Sequence, residues 1–204
     1  PYTTLFRSSF PMGNTGAQMG GWYRKEIKTV ADMKGLKFRV GGFAGKVTAR
    51  LGTVSQNIPG GEIYQALEKG TIDAAEWIGP YDDQKLGLYK VAPYYYYPGW
   101  WEGSAELDFY VNTQAYAALT PEYKAIVEAA ASHAHVDMQA NYDAKNPAAL
   151  KALISNGVKV LPFPKPVLDE AYKQSMSLYN ELSEKNPNWR KVHEDYVAFQ
   201  REQS

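Results

Sequence analysis

Apolar and polar positions follow three rhythms along the chain, and each predicts a different element. Leu36-Lys37-Phe38-Arg39-Val40 alternates with period two, which predicts a strand with an arginine at its exit. Thr29 to Met33 before it reads as a cap and one helical turn, and Gly35 turns the chain into the strand. A helix is expected from Gly45 to Leu51. A second is expected from Glu62 to Lys69, where Ile63, Ala66 and Leu67 fall at i, i+3 and i+4 and Gly70 supplies the stop. Ile72 to Ala75 is a continuous apolar run of the kind that forms a buried strand, and it ends at Glu76. Strand, helix, helix, strand is the order of a crossover unit. Its parallel strands bring their carboxyl ends, here Arg39 and Glu76, to one sheet edge, where open α/β sheets bind ligands.

Gly79-Pro80 breaks the chain before a helix expected from about Tyr81 to Tyr89, and Glu106 to Asn112 alternates as a strand. Thr120-Pro121, Asn146-Pro147 and Asn186-Pro187 each pair a polar cap with proline, predicting three helix starts. The first helix has a stripe at Tyr123, Val127, Ala130, Ala134 and Met138, which predicts one buried face. Val158 to Leu161 is a short strand. Pro164 and Pro166 open a helix continued by Leu168, Tyr172, Ser175, Tyr179 and Leu182, and Trp189, Val192, Tyr196 and Phe199 share one side of the last helix. That helix reaches Ser204 with its stripe open and no terminating glycine, a pattern expected of a truncated chain.

Two stretches break these rhythms. Gly13, Gly16, Gly20 and Gly21 surround Gln18, a density that implies backbone packed close to something, with Gln18 as the polar side chain on offer. From Gly70 to Gly103, aromatic and acidic residues crowd together: Tyr94 to Tyr97, Trp100 and Trp101 precede Glu102. The run is either a packed aromatic loop or the half-wet wall of a ligand cleft, a setting that suits Tyr and Trp.

Composition narrows the partners. In 204 residues, 22 basic and 22 acidic side chains cancel, and there is no Lys/Arg block to hold nucleic acid or an anionic membrane. No stretch approaches the ~20 apolar residues of a membrane-spanning helix. Cysteine is absent, which removes disulfides and thiolate metal sites. Residues 1–8, PYTTLFRS, carry no hydrophobic period and resemble an in-frame translation of a common sequencing-adaptor oligonucleotide; they are expected to be non-native.

Arg39, Glu76, Glu102 and Gln18 form the candidate site. One arginine against two carboxylates leaves net negative charge, a poor host for an organic anion unless a cation bridges carboxylate and ligand. Oxygen donors without Cys or a suitable His point to a hard ion, sodium or calcium. Two other readings stay open: Arg39 pairs with Glu76 only to hold the sheet edge, or Glu76 and Glu102 beside the tryptophans are the acid and nucleophile of a glycosidase or part of a carbohydrate-binding module. His133, His135 and His193 stand apart from one another as solvated or satisfied histidines, and Asp82, Asp83 and Lys145 read as surface charge. Val40 and Val47 occupy positions where a phosphate loop around Gly45-Lys46 would need Gly and Ser/Thr. No nucleophile elbow or paired-histidine zinc motif is present in the sequence.

LKFRVGG followed by EKGTIDAAEW resembles the extracytoplasmic solute-binding subunits of tripartite ATP-independent periplasmic (TRAP) transporters, DctP type. GNTGAQMGGWYRKEI, the string from GGEIYQALEKG to YYYYPGWWEG and the Asn146-Pro147 stretch resemble its 2-oxo acid (pyruvate-type) branch. The resemblance implies a periplasmic receptor and not an enzyme. Its fold would be α/β, periplasmic binding protein-like type II, with two lobes, mixed sheets and lobe one largely missing. Residues 9–107 would form ligand-binding lobe two, 108–150 would return to lobe one, and 151–204 would form a C-terminal strand and helices. Arg39 would pair with the carboxylate of a small 2-oxo or 2-hydroxy acid, and Gln18 would reach substrate and cation. Glu76 and the Trp77 carbonyl would bind sodium or calcium, with Glu102 as a further ligand or support. The implied partners are TRAP membrane permease subunits and, in the full-length parent, a second copy.

Overall fold

A computed structural model describes residues 7–203. Its core is a six-stranded mixed sheet in the order β4-β3-β5-β2-β6-β8. In chain order these strands are β2 (Trp22–Tyr23), β3 (Lys37–Arg39), β4 (Val54–Gln56), β5 (Ala74–Ala75), β6 (Tyr94–Tyr97) and β8 (Lys159–Pro162). The crossover expected from the hydrophobic pattern is present. β3 and β5 are parallel neighbours with Arg39 opposite Ala75, and α1 (Gly42–Arg50) and α2 (Ile63–Glu68) lie in the connection between them. β2 runs antiparallel to both β5 and β6. The entry to β2 and the exits from β3, β5 and β6 therefore share one edge of the sheet.

The run Tyr94–Tyr97 is a sheet strand, which corrects its reading as a loop or cleft wall. Side chains on neighbouring strands alternate between two cores. Tyr23, Phe38, Ala74 and Tyr96 face one, with Val47 of α1 and Val167, Ala171 and Leu178 of α6 (Lys165–Lys185). Trp22, Ala75 and Tyr95 face the other, with Ile63 and Leu67 of α2 and Leu153 near the end of α5 (Pro121–Ser155). Tyr95 and Tyr96 are fully buried because their hydroxyls find partners: Tyr95 donates to Asp83 at 2.8 Å, and Tyr96 accepts from the Ile27 N–H at 2.7 Å. Asp83, expected on the surface, is 0% exposed. It lies in α3 (Pro80–Leu86) and also accepts from Trp22 Nε1 at 2.9 Å and Ile78 N–H at 3.1 Å. Three donors make burial of a carboxylate tolerable, and the two side chains among them, Trp22 and Tyr95, come from strands β2 and β6.

A separate two-stranded ribbon joins β1 (Arg7–Asn14) to β7 (Glu106–Asn112). Arg7 and Ser8, grouped with the adaptor-like residues by sequence, are its first rungs, opposite Asn112 and Val111; residues 1–6 lie outside the described residues. α4 (Thr113–Ala117) leads to α5, which runs unbroken for 35 residues through Pro147. Asn146-Pro147 therefore starts no helix. Asn146 instead accepts from the Tyr81 N–H at 3.1 Å and caps α3, a tertiary use of a capping residue. The first half of α5 covers only the narrow ribbon, so its stripe is incompletely buried and Tyr123 stays 60% exposed. α7 (Pro187–Gln203) packs on α6 and leaves Val192, Tyr196 and Phe199 exposed.

Candidate functional site

Gln18, Arg39, Glu76 and Glu102 meet at the shared sheet edge. Arg39 leaves β3 and Glu76 leaves β5 one residue past the register partner of Arg39, so their side chains start as neighbours. Gly21 lets the chain enter β2 alongside: its φ is 91°, and a Cβ there would lie 2.7 Å from the Ala75 carbonyl oxygen. Gln18, just upstream, is tied by its backbone to the loop after β6, through Gln18 N–H to the Gly103 carbonyl and Gly99 N–H to the Gln18 carbonyl, both at 3.1 Å. Those bonds bring Glu102 to Gln18. The glycine cluster thus acts by close approach, as its density implied.

Arg39 Nη1 donates to Glu76 Oε1 and to the Glu76 carbonyl, both at 2.7 Å, and Nε donates to the Ile58 carbonyl at 3.2 Å. Its guanidinium carbon stands 5.2 Å from the Trp77 ring centroid. The Trp77 ring packs against Gly60, where a Cβ would collide with it. Gln18 Nε2 donates to Glu76 Oε2 at 3.2 Å and to Glu102 Oε2 at 3.1 Å. Arg39 Nη2 reaches no protein acceptor among the described residues. It remains available to a ligand.

The cluster carries one positive charge and two negative ones. Glu76 is pushed up to about 7, chiefly by burial; Arg39 opposes the rise, and Glu102 and Asp83 add to it. Burial raises the Glu102 carboxyl as well, against the Gln18 hydrogen bond. The site is therefore short of positive charge. Two further oxygens lack hydrogen bonds among the described residues: the buried Gln18 Oε1 and the Trp77 carbonyl. Two carboxylates and two spare neutral oxygens fit a hard cation. No three His, Cys, Asp or Glu side chains gather as metal ligands among the described residues, so an ion here would depend on the neutral oxygens too.

Arg39, Glu76 and Glu102 open into a cavity of about 380 Å³ whose other walls include Phe43, Trp101 and the first turn of α1 from Gly42 to Ala44. That turn exposes N–H groups to the same space as the guanidinium, an arrangement suited to a small carboxylate. Sequence reasoning placed the arginine and offered the aromatic run through Trp101 as a cleft wall, which Trp101 is, but it began the helix at Gly45, one turn later than α1, and missed Phe43 as a wall. A second cavity of about 280 Å³ behind Phe43 is lined by Tyr179, Trp189, Val192, His193 and Tyr196. It lacks any Lys, Arg, Asp or Glu and suits an anion less well. His193 lies there, and His135 stands 3.4 Å from Glu106, so neither histidine belongs to the Arg39 cluster.

An arginine, two carboxylates and a helix N-terminus thus meet at one edge of a mixed α/β sheet, the edge at which open α/β sheets bind ligands. Residues 5–186 match the model of bacterial extracellular solute-binding protein, family 7 (DctP), and the chain belongs to that family. It is 48% identical over 194 residues to the monocarboxylate 2-oxoacid-binding periplasmic protein of a Nostoc species, covering 95% of this chain and 53% of that protein. A TRAP transporter solute binding protein from Bordetella bronchiseptica superposes with a TM-score of 0.94 at 55% identity, over 99% of this chain and 60% of that one. That protein is a mixed-occupancy dimer, with copurified calcium and picolinate in one active site and the other site apo. The TRAP solute binding protein of Pseudoalteromonas atlantica, with bound sodium and pyruvate, gives a TM-score of 0.92 at 44% identity, covering 98% of this chain and 61% of that one. Its counterpart from Colwellia psychrerythraea, with calcium and pyruvate, gives 0.93 at 41% over 98% and 62%. The chain thus spans about half the length of the Nostoc protein and about 60% of these structures.

Proposed function

We propose that the protein of which this chain is part is a periplasmic receptor that captures a small 2-oxo or 2-hydroxy monocarboxylate, such as pyruvate, and passes it to TRAP permease subunits. Arg39 supplies the guanidinium for the ligand carboxylate, assisted by the N–H groups of the first turn of α1. Glu76, Glu102, Gln18 and the Trp77 carbonyl hold a sodium or calcium ion that offsets the surplus negative charge and faces the same anion. Residues 9–107 carry this half of the site as lobe two, residues 108–150 return to lobe one, and residues 151–204 add a C-terminal strand and helices. The observation that carries the reading is the Arg39–Glu76 contact at 2.7 Å within a cluster whose carboxylates outnumber its cation. Relatives crystallised with bound pyruvate and sodium, or pyruvate and calcium, support it.

No feature of the site favours the carbohydrate reading. Glu76 is engaged by a guanidinium, and Glu76 and Glu102 share a single amide donor. Calorimetric titration of the full-length protein with pyruvate, in calcium and in sodium buffers, tests the receptor reading. Binding is expected to need one of the two ions and to be lost in Arg39→Ala. Undiminished affinity in that variant would overturn the role given to Arg39.

A further inference from the structure

This inference rests on the cation reading above and concerns how one of its ligands, the Trp77 carbonyl, is aimed. The Trp77 carbonyl and the Ile78 N–H belong to one peptide unit. That unit is planar and trans, so the two groups point in opposite directions and whatever holds one directs the other. Asp83 holds the Ile78 N–H, its Oδ1 accepting from it at 3.1 Å. The Asp83 side chain is itself fixed. It is 0% exposed, and its Oδ2 accepts from Trp22 Nε1 at 2.9 Å and from the Tyr95 hydroxyl at 2.8 Å, two rings stacked 3.9 Å apart on β2 and β6. The carboxylate cannot move off Ile78 without leaving those donors as well. Backbone bonds hold the segment on both sides of this peptide: Glu76 N–H donates to the Arg39 carbonyl at 3.1 Å, and the Ile78 carbonyl accepts from Met19 N–H at 3.0 Å.

We propose that Asp83 is a positioning residue of the cation site: through the Ile78 N–H it aims the Trp77 carbonyl, and its charge makes that oxygen a stronger ligand. A carboxylate drawing on the N–H of a peptide shifts electron density toward the carbonyl of the same peptide, as successive hydrogen bonds polarise one another. An ion drawing on the carbonyl makes the N–H a better donor in turn. Asp83 thus acts on the ion through a peptide group without touching it, as carboxylates that hold metal-binding histidines do. A role confined to seating α3 has a different consequence: loss of stability without loss of ion affinity. Asparagine separates the two. It has one accepting oxygen for donors on two sides, so either the Ile78 N–H or the Trp22 and Tyr95 pair faces an NH2 group, and the charge is gone in both cases.

The test is NMR on the 204-residue chain labelled with 13C at the tryptophan carbonyls and 15N at isoleucine. Trp77-Ile78 is the only Trp-Ile pair in the sequence, so a single amide signal reports both atoms. Calcium chloride is titrated at pH 8, where Asp83, raised to about 6, is ionised. In the parent, calcium should move the Trp77 carbonyl carbon and carry the Ile78 proton downfield with it. Asp83→Asn should need at least about tenfold more calcium. Tyr95→Phe strips a donor from Asp83 but leaves its charge and the Ile78 bond; it should melt lower, yet stay within about twofold of the parent in calcium affinity. Parental affinity in Asp83→Asn, or equal losses in both variants, refutes the positioning role and leaves the cation site standing. If Asp83→Asn does not fold, the parent decides alone: an Ile78 proton that stays in place while the carbonyl carbon shifts overturns the coupling. If neither calcium nor sodium moves the signal, the cation reading fails and this inference fails with it.

Discussion

Breaking the Arg39–Glu76 pair from each side measures how far a guanidinium sustains a carboxylate that burial disfavours. The two side chains are 16% and 10% exposed. Arg39→Met keeps the alkyl stem and strands Glu76, and stranding one partner of a buried pair costs about 3–5 kcal/mol. Proton uptake limits that cost. Glu76 lies at about 7 with the guanidinium present, against an ordinary 4.5, and goes higher without it, so the variant carries a neutral Glu76 at pH 7. A carboxyl raised in the folded state binds more protons there than in the unfolded chain, so stability falls as pH rises from the ordinary value through the folded one. The loss in Arg39→Met should therefore be about 1–2 kcal/mol near pH 6, where Glu76 is mostly neutral with or without the guanidinium, and rise to about 3 kcal/mol at pH 8. Glu76→Gln leaves Arg39 an amide oxygen and the carbonyls of Ile58 and Glu76, for a loss of about 1–2 kcal/mol. The double variant should cost less than the sum by about 2 kcal/mol. Urea unfolding followed by tryptophan fluorescence at both pH values measures the cycle, provided the urea dependence is unchanged among the variants. Additivity within about 0.5 kcal/mol at both pH values would refute the coupling.

Asp83 makes a second, independent contribution to pH dependence. Burial raises its carboxyl to about 6 from an ordinary 3.8, with Trp22, Tyr95 and Ile78 opposing the rise. The parent should lose about 3 kcal/mol relative to Asp83→Asn as pH climbs from about 4 to 6; parallel stability curves would contradict this. Asn146→Ala should lower stability by about 1 kcal/mol by uncapping α3, without loss of α5 helicity in circular dichroism. An unchanged urea midpoint would show that the cap contributes nothing.

How much was legible in the sequence depended on how many residues each pattern had to work with. Arg39 and Glu76 could be placed on one edge because Leu36–Val40 and Ile72–Ala75 were long enough to show strand character, and a crossover leaves their exits little choice of position. β7 was found with its observed bounds, for the same reason. β2 has only two residues, too few for any period, and it sits among glycines that describe its neighbours' closeness better than its own conformation. Tyr94–Tyr97 gave no alternation to read, because its four residues are identical and the middle two, one on each face, are both buried with hydroxyls satisfied by Asp83 and by the Ile27 backbone. Asp83 and Asn146 failed as local readings in a related way. Each uses its polar atoms on a partner from another element, and the sequence around it shows only a surface carboxylate or a helix start.

The same topology explains why the polar half of the site is self-sufficient. Gln18, Arg39, Glu76 and Glu102 come from one strand entry and three strand exits on a single sheet edge, held by bonds at Gly21, Gly99 and Gly103 that involve no other part of the fold. In the proposed receptor, cation affinity is then set by groups this chain already holds in register. The cavity they open into has aromatic walls at Phe43 and Trp101, so in the proposed receptor selectivity among carboxylates of different length depends on what faces those rings. The two affinities are separable in principle: substitutions at Gln18 or Glu102 act on the ion first, and substitutions at Phe43 or Trp101 act on the acid alone. A Phe43→Ala chain that binds calcium like the parent, while the corresponding full-length receptor loses discrimination between pyruvate and longer 2-oxo acids, is the outcome this division of labour requires.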